Sequence, residues 1–369
     1  MKVWNATRFG RAILASAAAP LIASLAGCGG GGYGGMSTSS GTGTTYIASA
    51  LVSDRTTTAY TDANLVNGWG LAFNPQGFVW VNDAATSKAT LYDGHGVPQS
   101  LVVAIPAGAA GSASPTGIVF NGSQDFAVAQ GGVSAPSAFL FVGEAGTLSG
   151  WSPTVDQSNA ITVFDGALAG AVYKGLAIAA QGAVNLLYAA DFHNARVDVF
   201  DGGFRRLAAG GFVDPSLPAG YAPFGIQALG GRIYVAYAKQ DAQAHDDVSG
   251  AGLGLIDVFD TAGIFVKRLT TGGTLNAPWG MALAPANFGA FSNALLVGNF
   301  GDGRINAFDP SNGQFLGTLS QPGGGPIVID GLWGIAFGNG LNSQPVNTLF
   351  FAAGPGGEAH GLYGRIDAQ

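Results

Sequence analysis

The sequence predicts an all-β fold, a six-bladed β-propeller, and three observations lead there. A Gly followed by a short apolar strand recurs six times, in NGWGLAF, SPTGIVF, VYKGLAI, APFGIQAL, APWGMAL and GLWGIAF. The glycines, Gly70, Gly117, Gly175, Gly225, Gly280 and Gly334, follow one another at intervals of 47 to 58 residues, the period of a repeat that carries one four-stranded sheet. Composition agrees: 61 Gly, 17 Pro and only 10% charged residues in 369 suit a chain punctuated by turns rather than a helical one.

Residues 1–28 stand apart from these repeats. Lys2, Arg8 and Arg11 precede the apolar run AILASAAAPLIASLAG, which closes on Leu25-Ala26-Gly27-Cys28. A basic start, an apolar stretch and small residues at its end describe an export signal. The Leu-Ala-Gly-Cys ending resembles a bacterial lipoprotein signal, which implies that Cys28 is acylated and becomes the first residue of a membrane-anchored chain. Cys28 is the single cysteine, so no intramolecular disulfide forms. Residues 29–44, rich in Gly, Ser and Thr, read as a flexible tether, and 45–369 as the propeller. Residue 29 is Gly rather than Asp, which within the lipoprotein resemblance implies the outer membrane of a Gram-negative host. Loss of the signal removes three positive charges and takes the net charge from −7 to −10. With no basic stripe, nucleic acid is excluded as a partner.

Inside a repeat, WVNDAATSKATLYDG, YAADFHNARVDVFDG and LVGNFGDGRINAFDP share one plan: strand, polar loop, basic residue, alternating strand, Asp-bearing turn. Period-2 alternation, as in Arg196-Val197-Asp198-Val199-Phe200, marks half-buried strands. In the second repeat FLFVGEAGTLSGW fits this plan better than DFAVAQ, so an extra strand or excursion is expected before it; the fourth repeat carries an insertion over 239–254. The last repeat ends too early to supply its outer strand. TYIASALVSD at 45–54 is expected to supply it, pairing N- and C-terminal segments and closing the ring.

The repeats resemble those of NHL-type propellers, with Pro-x-Gly-Ile/Leu-Ala, a strand ending Ala-Asp, and Asn-x-Arg-Ile/Val-x-Val-Phe-Asp. More narrowly, residues 45–366 resemble a family of exported bacterial propellers of unassigned function. Calcium-dependent lactonase and phosphotriesterase propellers share this architecture and take metal ligands from Asn or Asp just ahead of the repeat glycines. Here Trp69, Thr116, Lys174, Phe224, Trp279 and Trp333 stand there, so that metal site is not assembled.

Antiparallel pairing puts the start of each inner strand and the end of each second strand on one face. Trp69, Lys174, Phe224, Trp279 and Trp333 are therefore candidate ligand-binding residues around the channel mouth. The same face gathers Asp83, Glu144 and Asp191 from strand ends, and His193, Asp241, His245, Asp246 and Asp247 from loops, as candidate ligands for a cation, calcium above all. The sequence carries no G-x-S-x-G elbow and no H-E-x-x-H. Two functions follow from this set. The first is an envelope-anchored module that binds a protein or carbohydrate; the second is a calcium-dependent hydrolase or lyase working at the channel mouth.

Overall fold

The computed structural model describes residues 44–369 apart from residue 209. Cys28, the export signal and the tether through 43 lie outside the described residues. Six blades stand around one axis. The first blade runs from the axis outward as Gly68–Phe73, Val79–Asp83, Lys88–Tyr92 and Pro98–Ala104, and the fourth and fifth repeat this pattern. In the second blade the hairpin Ala127–Gln130 and Val133–Pro136 is inserted between the inner strand and Phe139–Gly143, which is the excursion expected there. The third blade has three strands, not four, ending at Arg196–Phe200. Beyond it a single bridge from Phe200 to Arg206, with hydrogen bonds from the Leu207 amide to the Val199 carbonyl and from the Asp201 amide to the Arg205 carbonyl, replaces the outer strand.

Ring closure follows the expectation. Tyr46–Ser53 pairs antiparallel with Leu362–Ala368 and forms the fourth strand of the sixth blade, from Tyr46 opposite Ala368 to Ser53 opposite Leu362. A two-residue strand, Tyr60–Thr61, adds in parallel outside it. The Gln369 amide donates to the Thr45 carbonyl, so the two ends of the described chain touch.

Buried side chains fall into six apolar clusters, one for each gap between neighbouring blades, and a seventh on the axis. The repeat glycines explain how the blades come so close there. A Cβ on any of the six would lie 3.0 Å or less from a backbone atom of the next blade: Gly70 against Thr116, Gly117 against Leu176, Gly175 against Phe224, Gly225 against Trp279, Gly280 against Trp333, and Gly334 back against Trp69. The recurrent Gly is thus the point where inner strands meet backbone to backbone.

Candidate functional site at the channel mouth

The large side chains of the seventh cluster come mainly from residues just ahead of those glycines. Trp69, Phe224 and Trp333 are almost wholly buried, with Trp279 and Phe300 packed against them. Trp333 stacks between Trp69, 3.7 Å between ring centres, and Phe300, 3.9 Å. Trp279 meets Trp333 edge-on and donates its indole N–H to the Lys174 carbonyl at 2.8 Å. The aromatic ring expected around the mouth is therefore pulled together on the axis, where it closes the channel. Beneath it the inner strands enclose a space of about 30 Å³ and, farther along, one of about 200 Å³.

Above this floor lies a cup of about 230 Å³ lined by Trp69, Lys174, Asp246, Asp247, Phe300, Trp333 and Glu358. Lys174 is 2% exposed and its ammonium bridges Glu144 and Asp246, the latter at 3.1 Å, while lying 5.3 Å from the centre of the Trp69 ring. Burial works against that charge, but the carboxylates of Glu144 and Asp246 outweigh it and raise the lysine pKa above its ordinary value. Partial desolvation works against the charge of the exposed Asp246 too, but Lys174 outweighs it and draws its carboxyl below the ordinary range. The other two acids face the cup without such a partner. Burial pushes Asp247 up to about 6 and raises Glu358 as well.

Three loops deliver these side chains. Glu144 follows the strand Phe139–Gly143, its amide bonded to the Ser114 carbonyl. The insertion of the fourth blade is tied down at its root by Gln240, whose side chain donates to the Phe192 carbonyl. Within it Asp241 accepts from the amides of Gln243, His245 and Asp246, a tight turn that presents His245, Asp246 and Asp247 in succession. Glu358 sits at φ 67° in the last loop, and Asn67 fixes it by donating to Oε1 at 3.1 Å while accepting from the Trp333 indole at 3.1 Å.

Beside the cup runs a groove of about 550 Å³ between the second and third blades. Ser112, Ser114, Glu144, His193, Gln243 and His245 line it along with small residues such as Ala145 and Gly170. Glu144, Asp246 and His245 stand between groove and cup, with His245 Nδ1 3.0 Å from Asp246 Oδ1. One ligand atom from each of Glu144, His245 and Asp246 lies within 4.8 Å of the others, the spacing a cation would need.

The structure does not bring all the candidate ligands to this place. Asp83 is fully buried between strands with no hydrogen-bond partner on either oxygen, and burial drives its pKa well above the ordinary carboxylate range. Asp191 accepts from Val172 and Asn194 and pairs with Arg196 at 3.2 Å, bracing its own loop. Asp241 is occupied by its turn, and His193 belongs to the groove. Conversely, Phe300 and Asn67 were not singled out in the sequence. A signal for Phe300 exists, because Asn299-Phe300 occupies the repeat position of Asp191-Phe192, and both phenylalanines join the axial cluster.

Comparison with known proteins places this architecture. Uncharacterized protein R648 of Acanthamoeba polyphaga mimivirus is 37% identical over 332 residues, 88% of this chain and 80% of the viral one. The chain belongs to its family. Uncharacterized protein L690 of the same virus is 36% identical over 331 residues, 87% of this chain and 86% of its own. No family model matches the chain. Among solved structures, a streptogramin B lyase superposes with a TM-score of 0.51 at 12% identity, over 88% of this chain and 98% of its own. A glucose dehydrogenase does so at 0.50 and 13%, over 86% and 99%. At such identities the likeness is one of fold alone.

Proposed function

We propose that the protein is an exported, lipid-anchored binding module that takes its ligand at the channel mouth, within the cell envelope. The anchor rests on the sequence around Cys28. The binding reading rests on one observation: the cup has an aromatic floor and three carboxylates, of which Lys174 engages only Asp246, its other partner Glu144 lying in the adjoining groove. Two acids face an open concavity, the arrangement of a site awaiting a positive group.

A second reading, a calcium-dependent hydrolase or lyase, is favoured by the convergence of Glu144, His245 and Asp246. Lys174 weighs against it, since a divalent ion there has to displace an ammonium from both carboxylates. Elemental analysis of the purified chain with melting curves in calcium and in EDTA separates the two. The binding reading expects no retained ion and equal melting temperatures. One tightly held ion per chain, whose removal lowers the melting temperature, establishes the metal reading instead.

A further inference from the structure

Resting on the binding reading above, we infer that the ligand is an amino sugar in oligomeric form, one of its ammonium groups seated in the cup and the hydroxyl-rich remainder lying in the groove. The protein itself displays how an ammonium is held at this place. Lys174 extends between carboxylates over the Trp69 ring, so the site already accommodates the charge, hydrogen-bond geometry and cation–π contact of a primary amine. That lysine serves Glu144 and Asp246 and leaves Asp247 and Glu358 for a second ammonium over the same floor. Trp69 adds an independent sign of an absent partner. It is 2% exposed, it lines the cup, and its indole N–H has no acceptor among the described residues. A buried donor left unpaired costs about 1–3 kcal/mol.

The groove fixes the rest of the ligand. Its polar side chains, Ser112, Ser114, His193, Gln243 and His245, offer hydroxyl, amide and imidazole groups, and Glu144 is its one carboxylate. Such a lining suits a hydroxyl-rich body. None of the groove residues belongs to a strand, so no sheet edge is offered for the backbone pairing by which extended peptides are usually held. At about 550 Å³ the groove has the size of an ordinary ligand cleft.

The test is calorimetric titration of the full chain in detergent at pH 7 with three probes: a glucosamine trimer, its fully N-acetylated counterpart, and trialanine with a free amino terminus. The glucosamine trimer is expected to bind at least about tenfold more tightly than either of the others. Glu358→Gln and Asp247→Asn should each weaken it about fivefold or more at unchanged circular dichroism, and His193→Ala should weaken the trimer but not monomeric glucosamine. Equal binding of acetylated and free-amine trimers overturns the ammonium assignment while leaving binding at this face intact. Tighter binding of trialanine replaces the sugar with a peptide amino terminus, and no binding of any probe rejects the inference. Binding that neither cup variant alters would move the ligand elsewhere and overturn the functional reading as well.

Discussion

Asp247 shows at the level of a single side chain what a partly buried acid does to a fold. Burial raises its carboxyl to about 6 against an ordinary 3.8, with Asp246 adding to the rise and Lys174 and Ser249 opposing it. The folded protein therefore keeps this proton to a higher pH than the unfolded chain does. Stability contributed by the group is present at about pH 4 and lost as the pH rises through 6, and the raised Glu358 acts in the same direction. Asp247→Asn removes the titration, so melting curves should show the variant gaining on the parent between pH 4 and pH 7, with no gain at the acid end. An equal difference at both pH values would mean that Asp247 is solvated like any surface acid. At this scale the sequence was only partly legible. It named Glu144, His245, Asp246 and Asp247, because face assignment follows from strand polarity. It could not separate them from Asp83 and Asp191, since whether an acid at a strand end turns toward the axis or into its own loop depends on that loop. Asn194 and Arg196 capture Asp191, whereas Asp247 accepts from the Ser249 hydroxyl and has no cation paired with it among the described residues.

Among the elements, the inner strands carry the tightest constraint. Each repeat glycine abuts the backbone of the following blade, but the fit is graded. A Cβ at Gly225 would overlap the Trp279 carbonyl oxygen, while one at Gly175 would stop 3.0 Å from that of Phe224. Backbone cannot yield as a flexible side chain does, so Gly225→Ala is expected to cost about 3 kcal/mol and Gly175→Ala clearly less, at the lower end of the 1–3 kcal/mol of ordinary overpacking. Denaturant unfolding of both variants checks the order; a reversal would place the axial packing somewhere other than this backbone contact. This same constraint made the fold legible. A requirement repeated at every blade leaves a periodic mark, and the six glycines supply it. The missing outer strand of the third blade left no comparable mark, because residues 201–220 hold turn signals and apolar residues much as its sister repeats do.

Over the whole molecule, stability rests on closure. Six interblade clusters share the core, and two of them, between blades five and six and between blades six and one, include residues of the closing strand Tyr46–Ser53. Tyr46 and Val52 are wholly buried, one in each cluster. Deleting residues through 54 should therefore do more than trim an edge. It removes both anchors and bares the length of Leu362–Ala368, so the shortened chain is expected to melt at a lower temperature and to self-associate in light scattering. A truncated chain that stays monomeric with the parent's melting temperature would show the ring to be held by its other blades.

The contact between Thr45 and Gln369 also means that the ring has no intrinsic beginning. Joining these neighbours by a short peptide and cutting elsewhere, for example within the long excursion after Phe200, would give a circular permutant with the same blades in the same spatial order. Blade six would then be built from continuous chain, and the cut would hand the duty of closure to blade three, the one that already lacks an outer strand. The seam of this propeller is thus a property of its genetic order, separable from its architecture.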